Sequence, residues 1–199
     1  MTANTRTTEH PIHPQFTQRW SPRAFSGEAL GLEQLLPLFE AARWAPSASN
    51  TQPWRFVYGL AGTPAFAGIL DGLVPFNQAW AGQAGALVVV ISATQSVPPG
   101  QSEAKPLPWH ALDTGAAWMS LALQAQASGL AAHAMGGFDA AKLRDTLAVP
   151  ATHELHAVVA IGRQGDAATL PEALRARELP SPRRPLSALV AEGRFSLAD

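Results

Sequence analysis

Apolar residues recur at helical spacing in two long stretches of the chain. The first follows Glu28 and contains Pro37, which should bend the helix or mark its true start. The second covers residues 111–128 and is the stronger pattern, with Gly129 as its C-terminal stop signal. The positions predicted to face inward are Leu32, Leu35, Leu36, Phe39 and Ala42 in the first helix, and Leu112, Ala116, Met119, Leu123 and Ala127 in the second.

Shorter patterns complete the predicted framework. A β-branched run at residues 85–93 predicts a buried strand, and residues 55–59, 130–135 and 153–163 predict three more. Asp139 is typical of a helix N-cap and predicts a helix through Leu147. Further short helices are predicted over residues 65–73, 77–83 and 171–178. Because helices and strands intermix, the pattern favours an α/β or α+β sandwich with one mixed sheet.

Two regions have no such pattern. Residues 1–15 lack periodicity and contain two prolines, which predicts a mobile N-terminal arm ahead of a single domain over residues 16–199. Residues 94–108 contain four prolines and predict a long loop, and a loop of that length is often functional.

Composition excludes several classes of protein. The chain has 199 residues, of which 47% are hydrophobic and 15% charged, enough apolar content for a packed core. Its net charge of −1 disfavours a nucleic-acid or membrane-surface binder. With no cysteine, disulfides, thiolate metal sites and a cysteine nucleophile are excluded. The N-terminus has no apolar signal segment, and no apolar run reaches the ~18–20 residues that span a bilayer. We therefore expect a soluble, cytoplasmic protein.

Arginines supply the candidate anion sites. Arg19, Ser21 and Arg23 alternate, so in an extended segment their side chains point the same way and converge on a phosphate. The alternative is an ordinary solvated basic stretch. Arg183 and Arg184 form a second candidate, for which the alternative is likewise a solvated pair.

Two further clusters could contact a ligand. Ser47, Ser49 and Asn50 lie in a loop stiffened by prolines on both sides, which suits a planar polar ligand; alternatively, they satisfy their own turn. The Gly136–Gly137 pair follows a predicted strand and would let backbone N–H groups approach a ligand, or simply make a tight turn. The chain has no dinucleotide-binding, P-loop or hydrolase-elbow motif, and its histidine spacing argues against a metal site.

Six segments in order resemble the nitroreductase family. RWSPRAF at residue 19 resembles the family's opening motif, and APSASNTQPWRFVYG at residue 45 is the most specific match. Asn77 stands where the family has a flavin-contacting asparagine. The later matches are ALDTGAAWMSLALQAQASGL, GGFDAAKLRDTLAVP with HELHAVVAIGRQG, and RRPLSALV. Together they run from Arg19 to Val190.

The resemblance implies an α+β fold, a three-layer α-β-α sandwich with one mixed central sheet. It implies an intertwined homodimer with FMN at the interface and the C-terminal segment 180–199 reaching the partner. Arg19, Ser21 and Arg183 or Arg184 would hold the phosphate, and Arg23 would tune the flavin electrostatically. The other residues implied to bind the cofactor are Trp20, Pro46, Ser47, Ser49, Asn50, Asn77, Gly136 and Gly137, with the loop residues coming from the other subunit.

The activity implied is a ping-pong reaction in which NAD(P)H reduces FMN and an electron-poor acceptor, such as a nitroaromatic or quinone, is then reduced. Other reactions on the same flavin, reductive dehalogenation or flavin breakdown, remain alternatives, as does a non-catalytic flavin-binding protein. The chain departs from the pattern of many members at Gly136, where they have glutamate, and at Trp80, where some have a basic residue. These departures bear on substrate preference.

Overall fold

The computed structural model describes residues 5–197, so the first four residues of the predicted arm and the last two of the tail lie outside it. The helices are α1 Gln15–Gln18, α2 Leu32–Arg43, α3 Pro64–Asp71, α4 Pro75–Ala81, α5 His110–Ala127, α6 Ala140–Thr146 and α7 Glu172–Arg175. The strands are β1 Trp54–Leu60, β2 Ala86–Ala93, β3 Gln95–Ser96, β4 Lys105–Pro106, β5 Ala131–Met135 and β6 His153–Gly162. Except for α1, β3 and β4, each corresponds to a predicted element.

The main sheet has the strand order β1-β2-β6-β5, and every neighbouring pair is antiparallel. The predicted mixed sheet is therefore wrong for residues 5–197. The reason is visible between β5 and β6, where α6 lies in the connection. The chain leaves β5 and enters β6 at the same end of the sheet. A parallel pair would need the helix to return the chain to the opposite end, so β5 and β6 are antiparallel.

Helices cover both faces of this sheet. All eight residues of β2 are buried, as expected for a strand packed on both sides. Leu87, Val89 and Ile91 face a core shared with α3, α4 and α6. Ala86, Val88 and Val90 face a second core shared with α2 and α5. Alternate residues of β2 thus face two different hydrophobic cores, one on each side of the sheet.

The inward face of α5 differs from the predicted one. That of α2 differs in part, since Leu35 and Ala42 are buried as predicted. In α5 the buried positions include Ala117, Leu121 and Ala125, whereas Leu112 is 69% exposed and Met119 is 37% exposed. In α2, Leu35 and Leu38 are buried while Leu36 is 53% exposed. Both helices carry apolar residues on two faces. In α5, small side chains such as Ala117 and Ala125 take much of the face against the sheet, because they allow close approach.

The described part of the N-terminal arm contacts the C-terminal tail. The Arg6 side chain donates to the carbonyl oxygen of Ser181 over 2.9 Å. The Glu9 carboxylate accepts from the backbone N–H of Leu186 over 2.8 Å. Mobility of the arm stays a prediction. None of the helices in residues 5–197 combines the length and the apolar character that crossing a bilayer requires.

Candidate functional site

The segment after α1 is extended and places Arg19 beside Ser21. Arg19 leaves the helix with a ψ of 125°, and its Nη1 donates to the Ser21 hydroxyl over 3.3 Å. These two predicted phosphate ligands thus lie on the same side of the segment. Arg23 follows with its Nε buried and without a hydrogen-bond partner among the described residues.

Three guanidinium groups from distant parts of the chain meet here. Burial lowers the pKa of Arg19, and the positive charge of Arg183 lowers it further. The pKa of Arg6 is also lowered, by burial first and then by the charges of Arg183 and Arg19. None of the ion pairs formed among residues 5–197 involves Arg19 or Arg183. The arginine cluster, Arg6 with Arg19 and Arg183, is therefore a concentrated positive charge suited to an anion.

A cavity of about 800 Å³ opens between the arm and the tail. Arg6, Arg183 and Arg184 line it, together with apolar side chains such as Phe16 and Leu186. Sequence reasoning missed Arg6, because the arm around it has no periodicity or motif that would single it out.

Asn77 and Gly137 form the second part of the site. The Asn77 side chain is buried and donates from Nδ2 to the carbonyl oxygen of Gly137 over 3.0 Å. A Cβ at position 137 would lie 2.8 Å from that nitrogen, so glycine is required for this approach. Within the described residues, the Asn77 amide oxygen accepts no hydrogen bond, which leaves an acceptor for a ligand N–H. Gly136, next to it, is exposed.

His133 in β5 connects the two parts. Its Nδ1 donates to the carbonyl oxygen of Pro22 over 2.9 Å, and its ring packs on Trp80 with centroids 4.7 Å apart. Burial lowers the pKa of His133 to about 4, against the opposing effect of the Pro22 carbonyl. Trp80 is only 2% exposed, so it supports the site from inside the core rather than offering a surface to a ligand.

The loop at residues 46–53 is strained. Ser49, Asn50 and Gln52 have φ values of 50°, 53° and 47°, in the left-handed region that costs non-glycine residues about 1–3 kcal/mol each. The Ser47 hydroxyl accepts from the N–H of Gln52 over 3.0 Å. Asp113 of α5 accepts from the N–H of Ala48 over 3.1 Å and ties the loop to that helix.

This loop is not joined to the rest of the site within one protomer. Its hydrogen bonds run within the loop, to α5, to Arg55 of β1 and to Ala93 of β2. None among residues 5–197 reaches the arginine cluster or Asn77. Ser49 and Asn50 are exposed, as is Pro46. Trp20 is half-buried beside Arg19. The predicted residues thus form one group around Arg19 and His133 and a separate exposed loop.

Glu178 is a second residue that sequence reasoning missed. It is only 2% exposed, and its Oε1 accepts from the backbone N–H groups of Arg23 and Ala24 over 2.7 and 2.9 Å. Its Oε2 is buried without a hydrogen-bond partner in the described part of the chain. No local sequence pattern predicts a role for Glu178, since the residues that it binds are more than 150 positions away.

Known proteins resemble this chain in sequence and fold. The sequence model of the nitroreductase family matches residues 16–58 and 65–163. An uncharacterized 15.4 kDa protein from Mycolicibacterium smegmatis is 33% identical over 149 residues, covering 71% of this chain and 97% of that protein. A crystal structure of an oxidoreductase containing FMN is 43% identical, with a TM-score of 0.95 over 100% of both chains.

A second solved structure adds to this comparison. It is a Desulfovibrio desulfuricans protein assigned as a nitroreductase and crystallised in complex with FMN. It is 27% identical to this chain and superposes with a TM-score of 0.72, covering 94% of this chain and 99% of its own.

Proposed function

Because this chain belongs to the nitroreductase family, we propose that it is an FMN-dependent NAD(P)H oxidoreductase acting on nitroaromatics, quinones or similar electron-poor acceptors. Support comes from the FMN-containing oxidoreductase that is 43% identical over the whole chain. When bound, FMN would supply the redox chemistry, a two-electron exchange between NAD(P)H and the acceptor in a ping-pong cycle. The chain's own residues bind and orient the cofactor and set its electrostatic environment.

The observation that carries this proposal is the arginine cluster. Arg19 and Arg183 lie close enough that the charge of one lowers the pKa of the other. Arg19 is half-buried and Arg183 is exposed. Like charges held close together are unfavourable unless an anion neutralises them. A phosphate dianion does so, with the Ser21 hydroxyl as a further hydrogen-bond donor. Arg184 lines the neighbouring cavity and is the alternative to Arg183.

The ring end of the cofactor would lie at Asn77 and the Gly136–Gly137 pair. The amide oxygen of Asn77 is an acceptor that fits the N–H of the flavin pyrimidine edge. Backbone N–H groups at Gly136 or Gly137 would donate to the flavin's polar edge. The Arg23 guanidinium, whose Nε is buried and unpartnered among described residues, supplies positive charge near the ring.

A homodimer completes this proposal. Ser47, Ser49 and Asn50 are separate from the other ligands in one protomer, so a second subunit would have to bring them to the flavin. The exposed apolar face of α5, with Leu112 and Met119, offers a surface for that subunit. The tail at residues 180–199 would reach across, and it exposes Leu189, Val190 and Phe195.

The test begins with the visible spectrum of the purified protein. We expect the absorbance of bound FMN, bleaching when NAD(P)H is added without oxygen, and return of colour on adding menadione or a nitrobenzene. Initial rates at varied NAD(P)H and acceptor should give parallel double-reciprocal lines. A colourless protein that FMN does not reconstitute would overturn the proposal, and one that binds FMN without oxidising NAD(P)H would be a non-catalytic flavin-binding protein.

A further inference from the structure

The Arg19–Arg23 segment belongs to neither the sheet nor a helix, although it supplies three of the proposed cofactor ligands. Its backbone N–H and C=O groups therefore need partners elsewhere, because unpaired polar groups are costly where water is excluded. His133 pairs with the carbonyl of Pro22, and two charged side chains provide further partners. Both lie outside residues 16–58 and 65–163, which match the family sequence model.

Arg6 binds the carbonyl groups at the start of this segment. Its Nη1 donates to the carbonyl oxygens of Thr17 and Arg19 over 3.1 and 2.7 Å. Its Nε donates to the carbonyl oxygen of Ser181, two residues before Arg183. One planar guanidinium thus fixes the main chain next to both arginines of the proposed phosphate site.

Glu178 binds the amide groups at the other end. Its Oε1 accepts from the N–H groups of Arg23 and Ala24. A carboxylate that is only 2% exposed is held in place by its surroundings, so these two amides are held with it. A cation thus pairs with the carbonyls at one end of the segment, and an anion with the amides at the other.

We propose that Arg6 and Glu178 are positioning residues that hold the Arg19–Ala24 main chain in the conformation that binds the FMN phosphate. This inference rests on the proposed function. It assigns both residues a role in the geometry of the site, which for Arg6 is additional to its share of the positive charge. A substitution that keeps only the charge of Arg6 should therefore not restore binding.

The Arg6 test compares FMN with riboflavin, which lacks the phosphate, by fluorescence titration of the flavin-free protein. Arg6→Ala should raise the Kd for FMN by about tenfold, equal to about 1.4 kcal/mol, and leave the Kd for riboflavin within about threefold. Arg6→Lys should not restore FMN binding, since an ammonium group lacks the fork that reaches all three carbonyls. Arg177→Ala removes an exposed cation that is adjacent in sequence to Glu178 and should change neither Kd.

The Glu178 test uses a conservative variant. Glu178→Gln keeps an acceptor oxygen for both amides and should bind FMN within about threefold of the natural protein, whereas Glu178→Ala should weaken binding by about tenfold. Glu172→Ala, an exposed carboxylate in α7, is the matched control. If Glu178→Ala does not fold, hydrogen exchange decides: the amides of Arg23 and Ala24 should exchange slowly in the natural flavin-free protein.

The outcomes separate the two proposals. Failure of the natural protein to bind either flavin overturns the proposed function and this inference with it. Tight FMN binding by the natural protein, together with full binding by Arg6→Ala or rescue by Arg6→Lys, overturns the role of Arg6 alone. Wild-type affinity in Glu178→Ala, or fast exchange of both amides, overturns the role of Glu178.

Discussion

His133 is neutral in the folded protein because its surroundings disfavour a charge. Burial is the main cause of its lowered pKa, and the charges of Arg23 and Arg19 act in the same direction. The Pro22 carbonyl accepts from Nδ1, so the proton of the neutral ring is on that nitrogen. A residue that must stay neutral next to an arginine segment makes the site sensitive to acid.

This pKa predicts a pH dependence of stability. Since the pKa falls from 6.5 unfolded to about 4 folded, the unfolded chain binds a proton more readily between these values. The contribution is complete above pH 6.5 and is lost as the pH falls towards 4. From pH 7 to pH 5 we expect a loss of about 2 kcal/mol in the free energy of unfolding.

The measurement is urea unfolding at both pH values for the natural protein and His133→Phe. Phenylalanine keeps a ring against Trp80 but cannot take up the proton, so its loss between the two pH values should be smaller by the same amount. Equal losses in both proteins would show that His133 is not the titrating group.

Arg23 supports a second residue-scale prediction. In the proposed complex its positive charge would lie near the ring and stabilise the reduced, anionic flavin. Arg23→Ala should therefore lower the midpoint potential by roughly 30 mV, which corresponds to about 1.4 kcal/mol for two electrons. Spectroelectrochemical titration of the FMN-loaded variant measures this, with Arg177→Ala as control. An unchanged potential with intact FMN binding rejects the role.

At the scale of elements, the cap of α6 shows how a local signal positions the site. Asp139 accepts from the N–H of Lys142 over 3.0 Å, as the sequence predicts for an N-cap. The Asp139 N–H donates to the carbonyl oxygen of Gly72, and Leu73 pairs with Phe138. The cap therefore fixes the chain immediately after Gly137, where Asn77 contacts it.

Replacing this cap should cost measurable stability. We expect Asp139→Ala to lower the free energy of unfolding by about 1 kcal/mol, and Asp139→Asn to stay within a few tenths of the natural protein, because asparagine also caps helices. Chemical denaturation of the three proteins at pH 7 provides the comparison. Equal losses in both variants would point to charge rather than capping.

Signals of this local kind explain how much of the fold the sequence predicts. The β-branched run of β2 and the cap at Asp139 depend on neighbours in sequence, and the structure confirms both elements. Strand direction and the inward face of α5 depend on what packs against them, and both predictions were wrong. In α5 the larger residues Leu112 and Met119 suggested the core, yet Ala117 and Ala125 occupy it.

The candidate site likewise contains residues that the sequence predicts and residues that only the folded structure identifies. Motif resemblance drew attention to Arg19, Ser21, Asn77 and Gly137, which the structure brings into two contacting pairs. Arg6 and Glu178 were not predicted from the sequence, because each binds main-chain groups that are distant in sequence. Such contacts leave no spacing pattern in the residues they bind, so only the folded chain reveals them.

For the whole molecule, the proposed homodimer would bury the exposed apolar face of α5. A charge introduced there would have to be buried between subunits. Leu112→Glu should therefore raise the dimer dissociation constant by at least about tenfold and weaken FMN binding in parallel. Light scattering after size-exclusion chromatography measures the mass, and absorbance measures the flavin.

The control for this change is Ala67→Glu, an exposed position on α3 at the opposite side of the sheet. It should leave both mass and flavin content unchanged. A Leu112→Glu protein with unaltered mass and full flavin content would place the second subunit elsewhere.

The contacts of Arg6 and Glu9 with the tail have a consequence for sequence change. Both side chains bind main-chain groups, the carbonyl of Ser181 and the N–H of Leu186, which nearly every amino acid provides. Only proline at position 186 would remove the donor. Apart from Arg183 and Arg184, which belong to the proposed phosphate site, the tail's side chains are thus free to diverge while its main-chain bonds to the arm persist. This end of the protein can therefore acquire new surface chemistry without losing its attachment.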